Sequence, residues 1–396
     1  MKLLKISVSG LPLLKDDCDI DFLASQRVTA AHAEKMNAIF NVGKQQFMQN
    51  NVMAVIGINA SGKTTVLKLI AFVCKMLNNK PLNDSGYTEI FDELKEGSNV
   101  IIRSYFYTNS FASQSCTKNG SINLLTTIIT KNDNRLAIVA ETLESKAVAT
   151  GLHKKSIFDF TESKISFSRE TANEFLLDDV SIMVAFNKRY NEQIIISDML
   201  RYTNTNQLRL SKDCPLELIA FFDPNVEYLH FKPNGKDINI ALKFRGKKEI
   251  TLNRFSELNR YLSSGTIKGI NTFLGAINVF RTGGYLIIDE LENHFNREIV
   301  STLIRFYMDK KVNVKGAVLI FSTHYAELLD EFERNDNIYI TRNQSGITVD
   351  NLSVILKRND IKKSDAYQSG FLGGTTPMYD SYMDLKKSII RVNKEV

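Results

Sequence analysis

A glycine-rich stretch, GINASGKTT at residues 57–65, contains the residue types that hold a phosphate chain. In its spacing, G-x-x-x-x-G-K-[ST], the glycines let the backbone curl round the anion, the amides point at it and the lysine reaches the terminal phosphates. We expect Lys63 to take part in catalysis and the Thr64 hydroxyl to bind Mg²⁺. The candidate nucleotide-binding residues of this loop are Gly57, Asn59, Ala60, Ser61, Gly62, Lys63, Thr64 and Thr65.

Two carboxylates, Asp289 and Glu290, follow the apolar residues 285–288. An apolar strand that ends in two acids delivers them to the edge where an open α/β sheet has its ligand crevice. We expect Asp289 to orient the water shell of Mg²⁺ beside Thr64, and Glu290 to polarise the attacking water. A solvated acidic strand end is the plainer alternative, and it fits one carboxylate better than a pair.

A histidine, His324, comes just after another apolar run, residues 317–321. A lone histidine is more often a satisfied polar group than a functional one. After a strand that follows the acidic pair in this order, however, its imidazole is placed to hydrogen-bond the γ-phosphate. We therefore include His324 among the catalytic candidates.

The stretch LSSGT, residues 262–266, opens what reads as a helix that continues to about residue 280. Ser263, Ser264 and Gly265 would form a second helix N-terminus suited to an anion, whose plainer alternative is an ordinary serine N-cap. Because the chain already has one phosphate loop, we expect this helix start to bind a neighbour's nucleotide.

The elements that must position these residues follow from the apolar periodicity. Residues 52–56 read as a buried strand before the loop, and residues 66–76 have helical spacing after it. Residues 3–8 and 18–22 read as an opening hairpin. Strand patterns that would form a flanking antiparallel sheet occur at residues 100–107, 124–130 and 136–143. Between residues 147 and 252 the pattern is mixed, with helical stretches at 175–187 and 193–203 and a strand at 238–244.

In order and type, these motifs resemble those of the ABC-type ATPases of the SMC, RecF and OLD branch, often called AAA-family ATPases. The resemblance covers residues 1–80 and 253–351 and implies an α/β fold, namely an ABC-type P-loop NTPase head with a flanking antiparallel sheet. It implies a head-to-tail homodimer that holds two ATP molecules. The implied motifs are Walker A at 57–65, the signature at 262–266, Walker B at 286–290, the D-loop at 291–294 and the switch histidine at 324.

The chain departs from this family pattern in several places. Ile267 follows the signature where the family usually has glutamine, and Gln114 is the candidate for the Q-loop residue. The residues after 351 are too few for the Toprim nuclease of OLD proteins, and the middle lacks sustained coiled-coil heptads. We therefore expect an ATPase head with a mixed, mainly helical insertion and a tail that Tyr367, Phe371 and Tyr379 anchor on the head. The expected divisions are 1–146, 147–252, 253–350 and 351–396.

The composition fits an ordinary globular protein. Of 396 residues, 43% are hydrophobic and 24% charged, and the net charge is +6. This charge permits contact with nucleic acid without requiring it, so that partner stays open. The basic clusters read most simply as solvated faces; they are His153 to Lys155, Arg245 to Lys248, and Lys357, Arg358, Lys362 and Lys363.

The cellular compartment follows from the cysteines and the N-terminus. The four cysteines have no metal-binding spacing and suit a reducing compartment. The N-terminal residues alternate between apolar and polar, which indicates a strand rather than a signal peptide. No apolar run approaches the roughly 18 residues of a membrane span. We expect a cytoplasmic protein without membrane contact.

The sequence thus predicts an enzyme that binds ATP and Mg²⁺ and hydrolyses ATP as a homodimer, with a larger oligomer left open. Stand-alone heads of this branch resemble the ATPase subunits of anti-phage defence systems such as PARIS and Septu. We therefore expect a sensor or regulatory subunit that controls a separately encoded effector, such as a nuclease. One alternative is a RecF-like repair clamp on duplex DNA, and another is a binding module that senses a phage protein and uses ATP for assembly.

Overall fold

The computed structural model describes residues 1–109, 120–154, 156–161, 163–171, 176–201, 208, 214–234, 237–293, 295–375 and 379–392. Within them the strands are β1 Lys2–Ser9, β2 Cys18–Asp21, β3 Ala38–Val42, β4 Gln45–Met48, β5 Val52–Ile56, β6 Asn99–Thr108, β7 Ser121–Asn132, β8 Arg135–Ala147, β9 Lys164–Ser168, β10 Ile196–Asp198, β11 Val226–Asn234, β12 Asp237–Phe244, β13 Ile250–Leu252, β14 Tyr285–Ile288, β15 Val318–Thr323, β16 Ile338–Asn343 and β17 Ile347–Asn351. The α-helices are α1 Ala30–Glu34, α2 Lys63–Leu77, α3 Met183–Tyr190, α4 Leu216–Phe222, α5 Ser264–Thr282, α6 Arg297–Met308, α7 Leu352–Ile355, α8 Lys363–Gln368 and α9 Tyr379–Val392.

A central sheet with strand order β10-β14-β15-β5-β16-β17 carries the motifs. Its strands are parallel except for β17, which returns antiparallel to β16. The residues of β5, β14 and β15 are all buried, as expected for a parallel sheet covered on both faces. The carboxyl ends of these three strands therefore meet at one edge, as the sequence predicted.

The two faces of the central sheet pack against different elements. Met53 and Val55 of β5 pack in a core with α2 and the antiparallel sheet that contains β1, β6 and β7, whereas Ala54 and Ile56 pack in a core with α5 and α6. This division follows from the alternation of side chains along a strand. The helix α5 is bounded by its N-cap Ser263 and by Gly283, whose left-handed backbone (φ 77°) ends it.

An antiparallel sheet of order β2-β1-β6-β7-β8-β9 flanks this core. It contains the opening hairpin, in which Ile6 of β1 pairs with Ile20 of β2. It also contains the three long strands expected between residues 100 and 143, with Ser104 opposite Leu125. The predictions of the hairpin and of the flanking antiparallel sheet are confirmed.

Within the described part of residues 147–252, the prediction that the segment is mainly helical is wrong, because strand residues outnumber helical residues there. In the described part of this segment, β9 extends the antiparallel sheet, and β11, β12 and β13 form a sheet of their own. Of the predicted helix at 193–203, the described residues 193–201 contain no helix but the short strand β10, in which Ile196 pairs with Tyr285 of β14. β10 is the edge strand of the central sheet, and Ile196, which follows Ile194 and Ile195, is β-branched; its place at this sheet edge outweighs an apparent helical spacing. The predicted helix at 175–187 corresponds in part to α3.

The tail packs on the rest of the chain, but through different residues than expected. Tyr367 is buried, as predicted, whereas Phe371 is 70% exposed. The prediction for Phe371 is wrong because Gly370 and Gly373, both with positive φ, form a tight turn that gives the buried position to Leu372. The Tyr379 side chain lies outside those described.

The tail is fixed to the hairpin β16–β17 by Arg342 of β16. Its guanidinium donates to the carbonyl oxygens of Leu372, at 2.7 Å from Nη2, and Gly373, at 2.8 Å from Nε. Lys363, expected on a solvated face, is buried at 4% exposure, and its backbone N–H donates to Asp330 Oδ1. Helix α8 therefore belongs to the packed body of the protein.

Two further sequence expectations concern membranes and cysteines. No helix in the described ranges is both long and apolar enough to cross a membrane. Cys18, Cys74 and Cys214 are buried free thiols, and Cys116 lies outside the described residues.

The Asp21 carboxyl lies at the end of β2, where no nearby positive charge fully offsets the cost of removing its negative charge from water. Burial raises its pKa to about 6; Lys5 opposes this rise, whereas Asp19 and Asp336 add to it. The folded state therefore holds the Asp21 proton more tightly than the unfolded chain. The stability that this proton provides is complete below about pH 4 and is lost as the pH rises to about 6.

Asp21→Asn should therefore raise the free energy of unfolding by about 1–3 kcal/mol at pH 8 and by less at pH 4. Urea unfolding at both pH values measures the difference. Asp92→Asn is the matched control, since Asp92 is an exposed carboxylate outside the contacts of Asp21. Equal effects of Asp21→Asn at the two pH values would contradict a buried, proton-dependent carboxyl.

Candidate functional site

The loop between β5 and α2 has a backbone that only small residues allow. Gly62 has φ 98°, and a Cβ there would lie 2.6 Å from Ile347 Cγ2. A Cβ on Gly57 would lie 2.2 Å from Ser61 Oγ. Gly62 is also the N-cap of α2 and provides no side-chain acceptor, so the first-turn amides of this 15-residue helix remain oriented toward an anion.

The other residues of the loop have different roles. Ser61 is buried, and its Oγ lies 2.8 Å from Thr341 Oγ1, which ties the loop to β16. Asn343 Nδ2 donates to the Ala60 carbonyl at 3.1 Å. Asn59 is exposed at the tip, and Thr65 is half-buried in the first turn of α2. The loop is therefore hydrogen-bonded to the hairpin β16–β17, and its tip is exposed to solvent.

Lys63 lies inside the loop, close to three carboxylates. Its Nζ donates to the carbonyls of Gly57 at 3.0 Å and Ile58 at 3.1 Å, and it is 3.3 Å from His324 Nδ1. Burial lowers the pKa of Lys63, while Asp289, Glu290 and Glu292 act in the opposite direction. Because an ammonium only donates, His324 Nδ1 accepts, and Nε2 carries the imidazole proton.

Asp289 connects the phosphate loop to the neighbouring strand. Its Oδ2 accepts from Thr64 Oγ1 at 2.7 Å, and its Oδ1 accepts from Ser322 Oγ. The Ser322 oxygen in turn accepts from the backbone N–H of Glu290 at 2.7 Å. The sequence analysis missed Ser322, although a hydroxyl at the end of a buried strand, two residues before His324, is a usable signal.

Glu290 has an unusual backbone at the end of β14. Its φ of 47° is left-handed, which costs a non-glycine residue about 1–3 kcal/mol and is found mainly at functional sites. Asn293 Nδ2 donates to its Oε2 at 2.9 Å, and His324 Nε2 lies 3.5 Å from its Oε1. The side chain is 42% exposed, so solvent reaches the carboxylate.

Glu292 is a further carboxylate that the sequence analysis did not single out. It is 7% exposed, and its Oε1 accepts from the backbone N–H of His324 at 2.5 Å, which fixes that residue beside Glu290. Its Oε2 has no hydrogen-bond partner within the described part of the chain. Its position two residues after Glu290 was the available signal. His294, the last residue of the expected D-loop, lies outside the described residues.

The start of α5 is confirmed as a helix N-terminus. Ser263 is exposed and caps the helix, its Oγ accepting from the Thr266 N–H at 3.0 Å. Ser264 and Gly265 form the first turn and are half-buried. The serine cap, the plainer alternative, is thus present, and the binding of a neighbour's nucleotide stays a prediction. Ile267, in the place of the family's glutamine, is buried in the core, and Gln114 lies outside the described residues.

The residues brought together at the sheet edge are Lys63, Thr64, Asp289, Glu290 and His324, all of them predicted from the sequence. A glycine-rich loop between a buried parallel strand and a helix, with this lysine, acid pair and histidine, defines a P-loop nucleoside triphosphatase. The donor set of a hydroxyl and a carboxylate also fits Mg²⁺, which prefers oxygen ligands.

A comparison with protein families leads to the same class. The model of the family described as "AAA domain, putative AbiEii toxin, Type IV TA system" matches residues 52–330, more than half of the chain, and the chain belongs to that family. No curated protein matches it. The protein is therefore a nucleotide-binding AAA-type ATPase domain, of a kind that generally uses ATP with Mg²⁺.

Ser322→Ala should weaken Mg²⁺-dependent nucleotide binding by about 10- to 100-fold, because it frees Asp289 Oδ1 and leaves the Glu290 N–H without its acceptor. Nucleotide titrations at several Mg²⁺ concentrations measure this loss. Ser301→Ala is the matched control, since Ser301 is buried in α6 and its Oγ has no partner among the described residues. An unchanged Mg²⁺ dependence in Ser322→Ala would contradict the role of Ser322.

Proposed function

We propose that this chain hydrolyses ATP to ADP and phosphate in active sites shared by two copies. The observation that carries the hydrolytic part is the 2.7 Å hydrogen bond between Thr64 Oγ1 and Asp289 Oδ2, beside Glu290 and His324. It joins the binding loop to the acidic strand end in the arrangement that phosphoryl transfer to water needs. The order of the motifs supports assignment to the ABC-type branch of SMC, RecF and OLD proteins.

Each residue of the site has a separate role in this proposal. The loop amides and Lys63 bind the phosphates, and Thr64 and Asp289 would hold Mg²⁺, which when bound neutralises charge on the phosphate oxygens. Glu290 orients the attacking water, to which its 42% exposed carboxylate is accessible. His324 Nε2 lies 3.5 Å from Glu290 Oε1, so its proton is close to where the water would be held and could be donated to a phosphate oxygen.

The shared site is inferred from the start of α5. Ser263 is exposed at a helix N-terminus, and the half-buried Gly265 adds no side chain to the first turn. Such a surface suits the phosphates of a nucleotide carried by a second copy. A head-to-tail homodimer, in which the Ser263 end of one protomer faces the phosphate loop of the other, gives each ATP both contacts.

Mixing two inactive variants tests the shared site. Lys63→Ala and Ser263→Arg proteins should each lack ATPase activity, and an equal mixture should recover about a quarter of the parental rate. Half of the dimers are then mixed, and each of these has one intact site of its two. The control mixture of Lys63→Ala with Glu290→Gln should stay inactive, because both changes fall on the same side of the site. No recovery in the first mixture contradicts the dimer.

Glu290→Gln should lower kcat for ATP hydrolysis by about 10²- to 10⁴-fold and leave nucleotide affinity unchanged, because the phosphate and metal contacts survive. We expect this variant to remain as an ATP-bound dimer, which size-exclusion chromatography detects. Glu298→Gln on α6, where the side chain is 78% exposed, is the control and should hydrolyse ATP at the parental rate. Parental turnover by Glu290→Gln would remove Glu290 from the mechanism.

The biological role that we propose is the regulatory ATPase of a defence system that controls a separate toxic effector, such as a nuclease. The matching family's description names a toxin and a type IV TA system, which supports a role of this kind. Purification with the products of neighbouring genes tests it, and an effector should co-elute in an ATP-dependent manner. Salt-sensitive, ATP-dependent binding of duplex DNA by the isolated protein would instead favour the RecF-like clamp.

A further inference from the structure

Lys268 is a buried lysine close to the catalytic carboxylate. It lies on α5, one turn after Ser264, and is 7% exposed. Lysine is rarely buried unless its charge has a counterpart. The ammonium is not within 4 Å of any carboxylate of the described residues, so no direct ion pair explains its position.

A small cavity connects Lys268 to Glu290. The cavity has a volume of about 20 Å³, and both side chains line it, together with Asn293 and the apolar Met199, Ile288 and Phe295. That volume accommodates one water molecule, and the charged and polar groups in its wall supply hydrogen-bond partners for it. A single bridging water is thus sufficient to link the ammonium to the carboxylate.

The charge of Glu290 acts on Lys268 through this cavity. Burial lowers the pKa of Lys268, and the Glu290 carboxylate opposes that change. Glu290 is approached from its other sides by Asn293 Nδ2 at 2.9 Å and His324 Nε2 at 3.5 Å. Lys268 faces the same cavity from α5, opposite the contacts that Asn293 and His324 make with the carboxylate.

We propose that Lys268 is a positioning residue that orients the Glu290 carboxylate through one water in this cavity and couples it to the helix that begins at Ser263. The inference rests on the proposed function. Lys268 lies one helical turn after Ser264, on the same face of α5. When the start of α5 contacts the partner's nucleotide, Lys268 would pass that change on to Glu290 of the protomer that carries this α5.

The test compares Lys268→Met, which keeps the apolar stem, with Lys268→Arg, which keeps the charge, in steady-state ATP hydrolysis. Lys268→Met should lower kcat by about 10- to 100-fold with KM within about twofold, and Lys268→Arg should recover part of the loss. Lys363→Met is the matched control, since Lys363 is equally buried in α8, and it should keep the parental kcat. Urea unfolding of each variant reports its stability.

A double-mutant cycle separates positioning from packing. In a Glu290→Gln background, single-turnover hydrolysis should show no further loss from Lys268→Met, because Lys268 acts through the Glu290 carboxylate. An equal loss in both backgrounds, or a parental kcat in Lys268→Met, overturns the role of Lys268 alone. Absence of ATP hydrolysis by the parent protein overturns the proposed function itself. Should Lys268→Met not fold, Lys268→Gln replaces it under the same expectations.

Discussion

The Asp289 carboxylate is the group on which the site depends. It accepts hydrogen bonds from Thr64, at the start of α2, and from Ser322, at the end of β15, and so joins three elements that the chain supplies far apart in sequence. Ser322 also accepts the backbone N–H of Glu290, which helps hold that residue in its left-handed conformation. The carboxylates to which we assign Mg²⁺ binding and orientation of the attacking water are therefore held by the same few hydrogen bonds.

The residues of the site were predictable because phosphate chemistry demands particular residue types at short spacings. Lys63, Asp289 and His324 each follow an apolar strand, and parallel strands bring their carboxyl ends to one edge. Ser322 and Glu292 each lie two residues from a predicted site residue, but their roles depend on contacts with other strands and loops, which the sequence does not show. Strand β10 was mistaken for a helix because its place at the sheet edge, and not its own spacing, decides its structure.

Two lysines from different helices lie near the Glu290 carboxylate. Lys63 and Lys268 approach the acidic strand end from different helices: Lys63 from the start of α2, and Lys268 from α5. Both ammonium groups are partly removed from water, so their effect on nearby carboxylates is little screened. In the proposed dimer, the Glu290 carboxylate would lie between α2, to which we assign the protomer's own nucleotide, and α5, to which we assign the partner's nucleotide.

The contact of Gly62 with Ile347 has a consequence for how such motifs are interpreted. The phosphate loop packs against Ile347 of the last hairpin of the sheet, so the conformation of the loop depends on a residue outside the glycine-rich motif. A related chain with every residue of 57–65 but a bulkier side chain in place of Ile347 would keep the glycine-rich motif and lose the phosphate-binding conformation of the loop. An intact motif is thus no guarantee of a competent site.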